Sequence, residues 1–480
     1  MNRRVSVKKN AALNVLKQCC NIVFPLVTYP YISRTLGATN YGKYSFSDNL
    51  VAIFMVIASL GIPTYAVREG SRIRDDKEKI SRFSSEIFSI NLISLVLTFI
   101  IFSIFIIFIG RLHRNINLTL ILSINIITSI IGRDWINSIY EDFTYVTIRY
   151  VLFQTIALIL MFMFVHNSKD YILYTWIMLL ANSGGYVLNF FYTRKYVPIK
   201  LTRHLNLKRH IKPILYLFGV SLAIQIYVRS DAVILGFFRP DADVGIYNLA
   251  SKVYTILKTL LNAIVVVAIP RLSNYIGDNR TEDYFSLLQK IRNTLYMLAL
   301  PCIVGLFLES RNIMLLIGSK QFESGYLALR ILCIAMFFAI FGSYYSQCVL
   351  VPNRNDRIYF IATIVSALVN IGFNILIIPY LGMAGAAITT VIAEMIVVTF
   401  CFFSSRDERK RIKHKGTISV MIGCVGIIAI CYIISLLHLY YIIELILSII
   451  LSIIVYSIIL CMLKNELMIE LLKTFKHRIL

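Results

Sequence analysis

The sequence predicts an all-α integral membrane protein with about fourteen transmembrane helices, and three observations lead there. Hydrophobic residues make up 58% of the 480 residues, charged residues only 15%, and the mean hydropathy is +0.74, whereas a soluble domain is about a quarter charged. The apolar residues are gathered into runs long enough to cross a hydrocarbon core with some tilt. The basic residues lie in the gaps between runs and alternate from gap to gap, as topology signals do. Continuous runs exclude a membrane barrel, whose strands read as short alternating segments. The net charge of +23 does not indicate nucleic acid either, because that reading requires a basic patch on a soluble face.

The predicted spans are 11–33, 44–66, 83–110, 116–138, 144–166, 171–193, 213–237, 246–269, 287–308, 326–350, 358–379, 384–403, 417–437 and 440–463. With the N-terminus placed in the cytoplasm, 35 Lys and Arg are counted to the inside, including Arg133, Arg149, Lys290 and Arg292 near the cytoplasmic ends of their spans, and 8 to outside loops, while Lys17, Arg229, Lys252, Lys258 and Arg330 lie deeper within spans. That asymmetry puts both termini in the cytoplasm and makes the span count even. All nine cysteines sit in apolar segments without a CxxC pair, so neither a disulfide framework nor a metal site is expected.

The basic, Pro-containing stretch from Arg194 to Lys212 divides the chain into halves that echo each other. Short outside turns ending in Gly42-Lys-Tyr44 and Gly245-Ile-Tyr247 lead into spans two and eight, and each of those spans closes on Ile-Pro, at Ile62-Pro63 and Ile269-Pro270. The domains expected are a six-helix lobe over 1–200, a second over 201–410, and two further transmembrane helices with a cytoplasmic tail over 411–480. Six spans separate the two starts, so the lobes share one orientation and are related by an axis along the membrane normal.

Polar residues recur at threes and fours on the first helices of each half, which places them on one face. In the first half these are Asn14, Lys17, Gln18 and Asn21, with Asp48 early in span two; in the second they are Gln225, Arg229, Asp231, Asn248, Lys252, Lys258 and Asn262. An ionisable side chain is costly in hydrocarbon and usually faces a bundle interior or a wet cavity. These faces therefore predict a basic cavity in a transporter with anionic cargo.

Tyr29-Pro-Tyr-Ile-Ser-Arg34-Thr-Leu-Gly37, Tyr41-Gly-Lys-Tyr-Ser45, Gly61-Ile-Pro-Thr-Tyr-Ala-Val-Arg68-Glu69 and Gly245-Ile-Tyr-Asn-Leu-Ala-Ser-Lys252 resemble the Wzx-type polysaccharide flippases. Leu381-Gly-Met-Ala-Gly-Ala-Ala387 is similar to the opening of span twelve in the same superfamily. The resemblance covers essentially the whole chain. It implies a MATE-like MOP fold of two six-helix lobes plus two C-terminal helices. It also implies an undecaprenyl-diphosphate-linked oligosaccharide as cargo, moved by alternating access in the bacterial inner membrane for O-antigen, capsule or exopolysaccharide assembly. Membrane lipids, a polysaccharide polymerase and chain-length machinery are the implied partners, with no nucleic acid.

A diphosphate is the part of such a cargo hardest to carry through hydrocarbon, and basic side chains in a wet cavity offset that cost by pairing with phosphate oxygens. Lys17, Arg229, Lys252, Lys258 and Arg330 are the expected phosphate or headgroup contacts. Asn14, Gln18, Asn21, Gln225, Asn248 and Asn262 line the cavity, and Asp48 and Asp231 couple transport to an ion or gate it. The structural alternatives are an Arg229–Asp231 pair without a cargo role, and interfacial snorkelling of Lys17 and Arg330. Glu394 and Glu444 lack a basic partner nearby in the sequence and are expected to bond locally or face another subunit. No HExxH or GxxxxGK[ST] motif is present, and the histidines fall at loops or span ends; neither enzymatic chemistry nor a cofactor is expected. The competing functions are a lipid II flippase, a MATE-type cation or drug antiporter, and a membrane polysaccharide polymerase or ligase. The basic faces oppose the antiporter, and the short outside loops oppose a polymerase.

Overall fold

Every one of the fourteen expected intervals is occupied by helix in the computed structural model, which describes residues 7–411 and 416–479. Arg3, Arg4, Lys413 and Lys415, part of the expected basic signal, lie outside the described residues. All described secondary structure is helical, as it must be where no water is present to satisfy an open backbone. Among the described residues, ten helices are long and apolar enough to cross a membrane. Their outward faces are apolar: Val96, Leu97, Ile100 and Ile104 on one helix and Ile446, Ile449, Ile450 and Ile453 on another are all exposed. Hydrocarbon, not water, is the solvent that makes such faces favourable.

Packing divides the chain into two compact units, Met1–Gly245 and Ile246–Leu480. The first holds α1 (Val7–Ser59), α2 (Ile62–Gly70), α3 (Lys77–Phe108), α4 (Gly110–His113), α5 (Ile116–Gly132), α6 (Asp134–Ile139), α7 (Phe143–Phe164), α8 (Tyr171–Tyr192) and α9 (Leu207–Phe238). Because α9 packs on α1 and α2, this unit ends later than the repeat boundary expected at 200; compactness and internal repetition are separate criteria. From α10 (Asp241–Gly277) onward come α11 (Thr281–Leu308), α12 (Ser310–Gly318), α13 (Tyr326–Ser343) and a π-helical turn at Tyr344–Leu350. They are followed by α14 (Asp356–Ser404), α15 (Arg406–Arg411), α16 (Thr417–Ser435), α17 (Tyr441–Met462) and α18 (Glu466–Ile479). The segment expected as a tail is thus largely helix, and Glu470 of α18 pairs with Lys290 of α11.

Two of the expected outside turns shrink to single residues. Gly37 within α1 has φ 73° and Gly382 within α14 has φ 53°, a region open to glycine because it has no Cβ. Each reverses the chain between two spans. Gly42 and Gly245, expected as turn residues, serve another purpose. They bring two helices into backbone contact: a Cβ on Gly42 would lie 1.7 Å from the carbonyl oxygen of Asp241, and one on Gly245 would lie 2.3 Å from that of Ala38. Arg111 fastens the same corner, donating from Nε to the Gly236 carbonyl at 2.7 Å and from Nη2 to Asp241 Oδ1 at 3.0 Å.

A buried apolar cluster of Ile62, Ile80, Phe83, Ile87, Trp135, Ile139, Val197 and Ile214 joins α2, α3, α6 and α9 in the first unit. Two arginines counted as topology signals belong to this region's interior. Arg149 lies within α7, is buried, and donates to Asp134 Oδ2 at 2.8 Å, and Arg133 is buried between the rings of Phe88 and Phe190. Nearby, Asp142 accepts from the hydroxyls of Tyr192 and Tyr196 at 2.6 Å each and from the Tyr145 backbone N–H. Burial alone would raise this carboxyl, but these donors and Lys195 hold it below the ordinary carboxylate range. In the second unit, Met297, Val420, Cys424 and Leu460 form the core shared by α11, α16 and α17.

Two expected outcomes follow from this packing. Gly42→Val forces backbone apart and will lower the thermal midpoint or abolish monodisperse protein, whereas Gly372→Ala, with nothing within 4 Å, will raise stability by about 0.5–1 kcal/mol; equal behaviour of the two variants would contradict the close crossing. The depressed Asp142 carboxyl gives stability that is present above about pH 4 and lost as pH falls through its lower folded value. Asp142→Asn will therefore flatten that acid limb of the unfolding profile.

Candidate functional site

Each unit places a cation on a polar helix face inside an otherwise apolar segment, and each cation is held by an acid that is distant in sequence. In the first unit the four-residue spacing of Ser221, Gln225 and Arg229 aligns them along α9. Arg229 reaches across to α1, donating from Nη1 to Asn49 Oδ1 at 2.8 Å and lying 3.7 Å from Asp48 Oδ2. The Arg229 and Asp48 side chains are 27% and 33% exposed, so the pair borders accessible space. The Nε of Arg229 is buried without a hydrogen-bond partner among the described residues. One edge of the fork is engaged and part of its donor capacity is left over. Beside Asp48 the rings of Tyr29, Tyr41, Tyr44 and Tyr174 follow one another at 6.4, 6.5 and 4.8 Å, all near enough to feel its charge. Asp231, one step further along α9, is buried.

Lys17, on the first half of α1, is half-buried with Nζ 5.7 Å from the centre of the Tyr150 ring, a cation–π distance. Gln18 and Asn21 are exposed and hydrogen-bonded to each other at 3.4 Å. The side chain of Asn14 lies outside the described residues. Gln225 is half-buried.

In the second unit Lys258 of α10 donates from Nζ to Glu394 Oε1 of α14 at 2.6 Å and to the Tyr254 hydroxyl at 3.2 Å. Tyr254 also donates to Glu394 Oε1 at 3.3 Å. The expectation that Glu394 bonds locally or faces another subunit is therefore corrected. The two residues are 136 positions apart, and only the packing of α10 on α14 brings them together. The general cost of an acid in hydrocarbon was the available signal, since it demands a partner somewhere. Lys258 is 32% exposed and Glu394 9%. Asn262, one helical turn beyond Lys258, accepts from Ser343 Oγ of α13, which in turn accepts from Gln347 in the π-helical turn. Asn248 is buried and Lys252 half-buried on the same helix. Arg330 is engaged elsewhere: its Nε donates to the Phe307 carbonyl and to Ser310 Oγ, tying α13 to the end of α11.

An apolar groove of about 480 Å³ runs between α11, α16 and α17, walled by Leu306, Ile427, Leu445, Ile449, Ile453 and Leu460, with Glu309 among its few polar residues. It lies between helices whose other faces are exposed and apolar.

Residues 7–276 match the family described as "Polysaccharide biosynthesis protein". The chain is 22% identical over 413 residues to a protein of Escherichia coli (strain K12) named as an O-antigen transporter, covering 85% of this chain and 98% of that protein. It is 23% identical over 407 residues to the capsular polysaccharide biosynthesis protein CapF of Staphylococcus aureus, covering 82% and 97%. Among solved structures, the lipid II flippase MurJ in an inward closed conformation superposes with a TM-score of 0.75 at 18% identity, covering 94% of this chain and 99% of that one. At that identity the likeness is one of fold.

The Lys258–Glu394 contact has a direct stability test. Glu394→Ala leaves a partly buried ammonium without its acid and will cost about 1–3 kcal/mol. The double variant Lys258→Met/Glu394→Leu will recover most of it, since an apolar pair can replace an ion pair. Additive losses in thermal or denaturant unfolding would show the two side chains to be uncoupled.

Proposed function

Because this chain belongs to the polysaccharide biosynthesis protein family, as a Wzx-type flippase with the MOP-superfamily fold, we propose that it carries an undecaprenyl-diphosphate-linked oligosaccharide across the bacterial inner membrane. The observation that carries this reading is the pair of partly exposed cations on polar helix faces, Arg229 and Lys258, each set in an apolar segment and each held by an acid. A diphosphate cannot enter bare hydrocarbon: the idealised cost of moving one small ion there is of order 20 kcal/mol. Arg229 offers a planar fork that borders accessible space beside Asp48, and Lys258 a compact charge that Glu394 keeps compensated while no cargo is bound. Exchanging one oxyanion for another costs far less than baring the cation.

Lys17 and Lys252 complete the proposed headgroup contacts, and Arg330, already engaged, contributes least. Asn14, Gln18, Asn21, Gln225, Asn248 and Asn262 give the glycan polar surface. Asp48 and Asp231 serve as titratable or gating partners. The prenyl tail, for which a dry surface is enough, lies in the groove of α11, α16 and α17. The two six-helix repeats, 1–200 and 201–410, alternate access to the two leaflets, and 411–480 adds the helices that form part of this groove. Both termini face the cytoplasm, in accord with the 35 to 8 split of basic residues. No bond is made or broken by the protein in this scheme. The product feeds O-antigen, capsule or exopolysaccharide assembly, with polymerase and chain-length machinery acting downstream.

The test is complementation of a bacterium lacking its own repeat-unit flippase. Wild type will restore surface polysaccharide; Arg229→Ala and Lys258→Ala, inserted at equal levels, will lower it at least tenfold. Full restoration by both variants would remove them from the cargo path. Rescue of a lipid II flippase depletion without any surface polymer would reassign the cargo.

A further inference from the structure

Of the histidines whose side chains are described, His210 alone is buried, and it is fully so; His113, His166, His204 and His438 are exposed. Its ring is gripped at both nitrogens. Nε2 lies 2.9 Å from Glu86 Oε2 on α3, and Nδ1 lies 2.7 Å from the Tyr65 hydroxyl on α2. The other Glu86 oxygen accepts from Asn206 Nδ2 at 2.8 Å and Arg82 Nε at 3.1 Å. Tyr65 and Phe83 meet the imidazole edge-on at 5.7 and 5.8 Å, and Glu86 and Tyr65 are 3% and 2% exposed. Three helices thus converge on one fully buried imidazole at the very start of α9.

The donors fix the protonation chemistry. Glu86 receives N–H groups from Asn206 and Arg82, so it acts as a carboxylate and His210 Nε2 donates to it. In neutral His210, Nδ1 then accepts the Tyr65 O–H. A second ring proton on Nδ1 needs only a rotation of that hydroxyl, which then accepts instead of donating. Both states keep every ring nitrogen hydrogen-bonded. In the protonated state the contact to Glu86 becomes a charge-assisted ion pair, the stronger kind. The charged groups around the cluster are Arg68 and Glu69 from α2, Arg82 and Glu86 from α3, and Arg209 from α9; α6 contributes apolar Trp135, Ile136 and Ile139.

The geometry points to a proton-binding latch: Tyr65, Glu86 and His210 fasten the start of α9 to α2 and α3, and the fastening tightens when His210 takes up a proton. Because the ring proton on Nδ1 is what tightens it, the latch responds to the pH on the basic-rich side of the membrane. It depends on packing within the first unit alone and needs no cargo.

Hydrogen exchange of the full chain in lipid nanodiscs, corrected for intrinsic rates, reads the latch directly. Between pH 8 and pH 5.5, opening of residues 207–217 in wild type will slow at least fivefold, with residues 326–343 as the internal reference. His210→Gln and Glu86→Gln will abolish that response, and Tyr65→Phe, which removes only the oxygen that accepts the second ring proton, will reduce it. An unchanged response in His210→Gln, or none in wild type, overturns the latch. Should the His210 and Glu86 variants fail to insert, Tyr65→Phe decides: a response equal to wild type overturns it.

Discussion

A cation placed in hydrocarbon must carry its own counter-charge, and the interior of this protein is arranged around that requirement. Arg229 has Asp48 and Asn49, Lys258 has Glu394 and Tyr254, and Arg149 has Asp134. None of the acids is a helical neighbour of the cation it serves. Each ion pair therefore joins separate helices, and the helices come together partly because the charges cannot be left alone. Apolar packing gives little reason for one apolar helix to prefer another in lipid. The polar contacts supply that preference while leaving Arg229 and Lys258 partly open.

The helices themselves were legible in the chain because hydrophobic runs and basic gaps are local signals. Every expected interval is helical, and the family resemblance read from short glycine and tyrosine motifs agrees with the family match and the MurJ-like fold. What the chain did not disclose is pairing over distance. Glu394 looked partnerless because Lys258 stands 136 residues earlier, and His210 looked like a loop residue because its two partners lie on α2 and α3. Arg133 and Arg149 count as inside topology charges, yet both are buried. Residue type and spacing report which face a side chain shares with its neighbours; they do not report what arrives from another helix.

The two Gly-x-Tyr motifs illustrate a case between those extremes. They were visible as a repeat, but their physical cause was not. Gly42 and Gly245 let backbone touch backbone, while Tyr44 and Tyr247 are buried in the adjacent packing. Smallness at one position and bulk two residues later describe a contact surface, not a turn. The turns lie elsewhere, at Gly37 and at the short Arg239–Pro240 link.

Those single-residue reversals bear on how the chain is made. Two spans joined by one glycine have no loop that could stay behind while the second waits to be oriented. The helices flanking Gly37, and likewise those flanking Gly382, are tied to opposite directions across the bilayer, so each pair is oriented as one unit. The orientation of each pair is then chosen once, by the charges at its far ends, which relieves the reversals themselves of any need for charged residues.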